Sequence, residues 1–216
     1  MAKYQSIVKI SGALDNYVFY ELNGVQVMRK KSGFSKEAYN SNPKYQKVRE
    51  NSNEFGHSSK SGKAIREALA EFLKESGDKY LYQKFAKLMT EIKDLDTASG
   101  RGKRKVQVGM KQSAAHQMLR DFIFGEIENM NGIAEKSINL MDNSVSLIKT
   151  TTADQFIIIT LKPNFENYMI KKHEDSSPIA TGQKLFVFDK YFDDSEELLH
   201  FAVLKKNDKI LNMGFV

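Results

Sequence analysis

Tyr17-Val-Phe-Tyr-Glu-Leu-Asn-Gly-Val-Gln-Val-Met-Arg29 decides how the first part of the chain folds. Two β-prone runs flank Asn23-Gly24, and a type I′ turn needs two residues at positive φ, which Asn-Gly supplies at low steric cost. The stretch predicts a β-hairpin. An isolated hairpin is marginal in water, so a further strand over residues 4–10 is expected to join it through a turn at residues 12–16.

Beyond the hairpin the apolar period lengthens to that of a helix. Asn42-Pro43 predicts a helix start, with a capping side chain before a proline. Tyr45, Val48 and Phe55 mark one apolar stripe, and Ile65, Leu69, Phe72 and Leu73 a second. Between them Gly56-His-Ser-Ser-Lys-Ser-Gly62 predicts either one helix packed closely on a neighbour or a break into two. A further helix carries Leu81, Phe85, Leu88, Met89, Ile92 and Leu95 on one face. Another is expected over residues 110–124, closing at Gly125.

The last third changes period again. Short β-prone runs recur at residues 137–141, 144–149, 155–161, 184–189, 199–205 and 210–216, separated by turn residues. The fold class expected is α+β: an N-terminal β-hairpin or meander, a central helical block and a C-terminal antiparallel β-sandwich. The expected domains are 1–130 and 131–216, with Asn131-Gly132 breaking the helical pattern between them.

At 216 residues, 41% hydrophobic and 28% charged, with three prolines, the chain has the composition of a folded protein with a real core. It has no cysteine, which excludes a disulfide framework, thiol catalysis and any Cys-ligated metal. The start, Met1-Ala-Lys-Tyr-Gln-Ser-Ile, lacks the apolar core of a secretory signal, and the longest apolar run, Phe156-Ile-Ile-Ile159, is far short of a membrane span. The expected setting is the cytoplasm, or a particle assembled there, with no membrane partner.

Gly56 to Ala64 invites a phosphate-loop reading and fails it. The glycines stand one residue too far apart, and Ala64 occupies the place of the hydroxyl that would reach Mg²⁺. The four histidines, His57, His116, His173 and His200, show no metal-helix or finger spacing. His173-Glu174-Asp175 reads as a solvated loop. The acidic run Asp189, Asp193, Asp194, Glu196 and Glu197 lacks the spacing of a calcium loop. No catalytic residues, metal site or cofactor are expected.

Charge carries more. Residues 1–125 hold 23 Lys+Arg against 13 Asp+Glu, a net of +10; residues 126–216 hold 10 against 14, a net of −4. Arg101, Lys103, Arg104 and Lys105 lie within five residues, with Gly100 before them and Gly102 among them, as suits binding to phosphates. Arg29, Lys30 and Lys31 form a second cluster at the hairpin end, and Lys44, Lys47 and Arg49 a third. Tyr17, Phe19, Tyr20, Phe34, Tyr39 and Tyr45 interleave with them, and an exposed ring is a platform for a base.

Ile10-Ser-Gly12, Tyr17-Val-Phe-Tyr20, Asn23-Gly24, Val27-Met-Arg29, Asn42-Pro43, Arg49-Glu-Asn51, Glu54-Phe-Gly56 and Ser61-Gly-Lys63 together form a pattern. On it the first third of the chain resembles a family of uncharacterised Bacteroidota proteins associated with mobile elements. The resemblance brings no activity and no site residues, and its glycine-punctuated hairpin is similar to those of phage-derived or assembly proteins. The function expected is a non-enzymatic binding protein. Its basic half engages a polyanion, in the first place nucleic acid, without sequence specificity. The alternative is a structural subunit of a phage-like particle or filament, a homo-oligomer held together by its basic and acidic surfaces.

Overall fold

Asn23 and Gly24 both take positive φ, 52° and 78°, and close a hairpin between β3 (Tyr17–Leu22) and β4 (Val25–Lys30). The computed structural model describes residues 2–5, 9–31, 35–134, 143–193 and 197–216. Two further strands, β1 (Ala2–Lys3) and β2 (Gly12–Leu14), complete an antiparallel sheet of order β1-β4-β3-β2. Of the strand expected over residues 4–10, the described residues Tyr4, Gln5, Lys9 and Ile10 are not in strand. The pairing that forms is instead β2 with β3 through Asp15-Asn16, and β1 with the far side of β4.

Ser35 caps α1 (Lys36–Ser41), its hydroxyl accepting from the Ala38 N–H at 3.0 Å. Asn42 accepts from the Lys44 N–H, and Pro43 opens a 3₁₀ turn that feeds α2 (Gln46–Ala68). The Arg49 guanidinium donates to the carbonyls of Tyr39 and Asn42 at the end of α1.

The chain divides into two compact units, 1–49 and 50–216, and not at the expected 130/131. The reason lies in the second unit. Its helices and its C-terminal sheet share one core, so no boundary separates them.

α2 runs unbroken through Gly56 to Gly62; its first half faces away from the expected Tyr45-Val48-Phe55 stripe, while Ile65 of the second stripe is buried as expected. Val48 and Phe55 are exposed, whereas Glu54, His57, Ser58, Ser61, Gly62 and Ile65 are buried. Ser58 and Ser61 satisfy their hydroxyls on the carbonyls of Glu54 and His57, so small polar residues can line a close helix–helix approach. A β-carbon at Gly62 would sit 3.0 Å from Met89 Cγ and 3.3 Å from the Phe85 ring of α4 (Leu81–Asp94). Gly62→Leu is expected to lower the unfolding free energy by about 1–3 kcal/mol through overpacking, with Gly62→Ala much milder, measured by urea denaturation.

α3 (Ala70–Leu73) follows α2, and α4 buries the expected Leu81, Phe85, Leu88, Met89 and Ile92. The helix expected over residues 110–124 is two: α5 (Val106–Met110) and α6 (Ser113–Asp121), parted at Lys111-Gln112. Gln112 is extended, and so is Phe122, which ends α6 early.

The C-terminal sheet is antiparallel, order β10-β9-β6-β7, from β6 (Gln155–Asn164), β7 (Met169–Pro178), β9 (Leu199–Lys206) and β10 (Lys209–Phe215). Ile157, Ile159 and Leu161 of β6, with Phe201 and Val203 of β9, face the helices. Phe156 and Ile158, with Ala202 and Leu204, face a two-stranded sheet of β5 (Ser144–Ser146) and β8 (Leu185–Val187). Burial on both faces explains the unbroken Phe-Ile-Ile-Ile run. The expected sandwich is therefore the thinner half of a helix–sheet–sheet stack.

β7 is a strand where a solvated loop was expected around His173-Glu174-Asp175. It is an edge strand with one neighbour, and its charged residues keep the open edge soluble, which hides it from an apolar pattern. The strand expected over residues 137–141 lies outside the described residues.

Candidate functional site

The division at residue 49 sharpens the charge asymmetry. Residues 1–49 hold nine Lys+Arg against three Asp+Glu, a net of +6, and residues 50–216 hold 24 against 24. The whole net charge of the protein belongs to its smaller unit.

The register of that unit's sheet sorts its side chains. Residues directly opposite share a face, so Leu14, Tyr17 and Lys30 form one row and Gly12, Phe19, Met28 and Ala2 the next. Glycine and alanine flank the second row, leaving Phe19 and Met28 without tall neighbours at either end. The Tyr4 ring stands edge-on to Phe19 at 5.7 Å, held by its hydroxyl donating to the Ile10 carbonyl. Tyr17 is 42% exposed and Leu14 67%. This face combines aromatic rings with an ammonium group. The opposite face carries Val18, Tyr20, Val27 and Arg29. Among the described residues, Val27 is the one buried hydrophobic residue of the sheet.

The basic cluster at the hairpin end is thus split by the two-residue period of β4. Lys30 lies on the face of Tyr17 and Phe19 and Arg29 on that of Tyr20, and both are exposed, as is Lys31 just past the strand. Lys44 and Lys47, at the entrance of α2, are also exposed. Tyr4 has no signal of its own in the sequence, because its place beside Phe19 depends on β1 pairing with β4. Phe34 lies outside the described residues.

The 101–105 cluster is placed quite differently. It belongs to the other unit, and Arg104 directs its charge inward, whereas Arg101, Lys103 and Lys105 are exposed. Glu54, 3% exposed, sits at its centre. One carboxylate oxygen accepts from the Gly102 N–H at 2.6 Å and Arg104 Nε at 2.9 Å. The other accepts from Arg104 Nη2 and Lys93 Nζ, both at 2.7 Å. Arg104 also reaches Asp94, and Arg101 pairs with Glu50 and Asn51. Beside it, buried Asp96 accepts from the backbone N–H groups of Ala98, Ser99 and Lys105. Lys103 and Lys105 remain outward.

Burial pushes the Glu54 carboxyl up, but the Arg104 hydrogen bonds, Lys93 and the Gly102 N–H outweigh it and bring the group down to about 2. For Asp96, burial again opposes, and the Lys105 and Ser99 hydrogen bonds hold the carboxyl below its ordinary value. The hydrogen bonds to Glu54 raise Arg104 above its ordinary value. Both oxygens of Glu54 are occupied by the protein itself, so this cluster fastens a loop. The available signal was an acidic residue at position 54 on the same helical face as Ser58, Ser61 and Ile65.

The histidines are structural in their bonding. His57 Nε2 accepts from the Val106 N–H at 3.0 Å, which leaves Nδ1 to donate to the Tyr168 hydroxyl at 3.2 Å. His200 Nδ1 lies 3.2 Å from Thr160 Oγ1. Burial lowers both, His200 to about 4, with Lys105 adding to the effect at His57; burial and Arg120 lower His116, partly offset by the Met110 backbone. Folded values below the unfolded value mean that the unfolded chain takes up protons first. Stability is therefore full above about pH 6.5 and falls as pH drops toward 4. His200 alone is expected to remove about 3 kcal/mol by pH 4, read by urea denaturation across pH, and His200→Gln should flatten that limb.

Among the described residues no group of three or more His, Asp or Glu is placed to hold a metal ion. None of the described helices is long and apolar enough to cross a membrane. No protein-family model, curated protein or solved structure matches the chain.

Proposed function

We propose that residues 1–49 bind single-stranded nucleic acid without sequence preference, and that the protein is a binding protein, not an enzyme. One observation carries the reading: the protein's entire net charge of +6 resides in the unit whose sheet presents Tyr17, Phe19 and Tyr4 beside Lys30. Rings offer stacking that every base can use, at ~1–3 kcal/mol per base, and lysines follow the phosphates. Lys31, Lys44 and Lys47 supply further positive charge in the same unit.

Fluorescence anisotropy with labelled DNA and RNA oligonucleotides of unrelated sequence, across about 50–200 mM salt, tests it. Affinities should agree within a few-fold among sequences and fall with salt. Affinity that ignores salt, or that belongs to one sequence alone, contradicts the proposal.

A second reading has its own observation. Leu14, Leu22 and Val25 are exposed on a sheet that buries only Val27 among its described hydrophobic residues, as expected of an element covered in an assembly. A particle that stays large after nuclease treatment at high salt favours assembly; one that shrinks to a monomer favours nucleic acid.

A further inference from the structure

Beyond the basic unit, residues 50–216 contain a second place where cations and rings meet. At the end of the β6–β7 hairpin a cleft of about 590 Å³ is walled by Lys162, Lys171, Lys172, Tyr191, Phe192 and Asp193. Lys162 and Lys171 stand directly opposite each other in the strand register, on the face away from the helices. They set two ammonium groups side by side on the wall of the cleft, where one phosphate can meet both.

The rings are arranged to receive something planar. His173 stacks parallel on Tyr191, centroids 4.3 Å apart, and its Nε2 lies 3.4 Å from Asp175 Oδ1, which steadies the imidazole. One face of Tyr191 is thereby backed, yet the residue is 66% exposed. Phe192 meets Tyr191 edge-on at 5.1 Å, and Lys162 Nζ lies 5.9 Å from the Phe192 centroid. The cleft volume falls within the range of small-ligand sites.

We propose that this cleft binds a nucleotide, its phosphate at Lys162 and Lys171 and its base on the open face of Tyr191. Among the described residues, Asp193 is the one carboxylate lining the cleft, and it opposes the phosphate. The proposal does not depend on the function of residues 1–49. The same chemistry belongs to a free mononucleotide and to the phosphorylated end of a strand.

The test is calorimetric titration of the full chain with AMP, adenosine and inorganic phosphate. AMP should bind about tenfold or more tightly than either fragment. Lys171→Glu and Tyr191→Ala, both at exposed positions, should each weaken AMP about tenfold. Asp193→Asn should tighten it, and Lys30→Glu/Lys31→Glu should leave it unchanged. A 5′-phosphorylated oligonucleotide that displaces AMP, where its unphosphorylated twin does not, identifies the strand end as the source. AMP binding with neither oligonucleotide competing identifies the free nucleotide. AMP binding no tighter than phosphate, or untouched by both Lys171→Glu and Tyr191→Ala, overturns the proposal.

Discussion

Replacing Glu54 with glutamine is expected to lower the stability of residues 50–216 by about 3–5 kcal/mol, the cost of breaking a buried ion pair by removing one partner. Glutamine preserves the shape but removes the charge that Lys93 and Arg104 share, and the Lys93 side chain is only 5% exposed. What remains to Lys93 is Asp94, whose side chain is about half exposed. Gly102 also loses its charged acceptor, so the loop before α5 should loosen in hydrogen exchange. Combining Glu54→Met with Lys93→Met should recover part of the loss, because no buried ammonium is then stranded and Arg104, partly exposed, keeps Asp94. Urea denaturation checks both; a loss below about 1 kcal/mol for Glu54→Gln would mean that the network does not fasten the loop. The acid limb has a defined sign. With its folded value near 2 and its ordinary value at 4.5, Glu54 contributes fully above pH 4.5 and progressively less as pH falls through 2. It acts below the range in which the histidines act.

What could be read in the sequence was what local physics determines. The Asn23-Gly24 hairpin, the Asn42-Pro43 start, the buried face of α4 and the strands at 155–161 and 199–205 all follow from turn chemistry and apolar period. The differences arise where a distant partner overrides the local pattern. Phe55 is outward and Glu54 inward because Arg104, fifty residues on, answers the carboxylate. β7 is polar because it is an edge, and an edge is a property of the whole sheet.

The candidate site divides in the same way. Arg29, Lys30, Lys31, Lys44 and Lys47 stay outward, as a solvated basic cluster should. Arg104 turns inward onto Glu54, and Arg101, half exposed, pairs with Glu50, which no reading of five consecutive residues reveals. The separation of Lys30 from Arg29 onto opposite faces needed only the strand period, once β4 was known to extend to Lys30.

The nucleic-acid proposal therefore yields a second large effect, with a built-in comparison. Lys30→Glu/Lys31→Glu is expected to weaken single-stranded DNA and RNA about thirtyfold at low salt. It should flatten the log–log salt dependence by about 0.7 for each phosphate left without its lysine. Arg29→Glu, on the face without the exposed rings, should do less. Lys103→Glu/Lys105→Glu reverses two outward charges of the other unit and should change affinity less than about threefold. Tyr17→Ala should weaken binding about tenfold yet leave the salt slope alone, because a stacked base releases no counterion. None of these residues is buried, so the fold should survive each change.

The salt dependence of oligonucleotide affinity, measured side by side for the unaltered protein, Lys30→Glu/Lys31→Glu and Lys103→Glu/Lys105→Glu, tests the central claim most directly. The claim expects a shallower slope and weaker binding for the first pair, with the second pair superimposing on the unaltered protein. The reverse order, or three coincident lines, contradicts the assignment of nucleic-acid binding to residues 1–49.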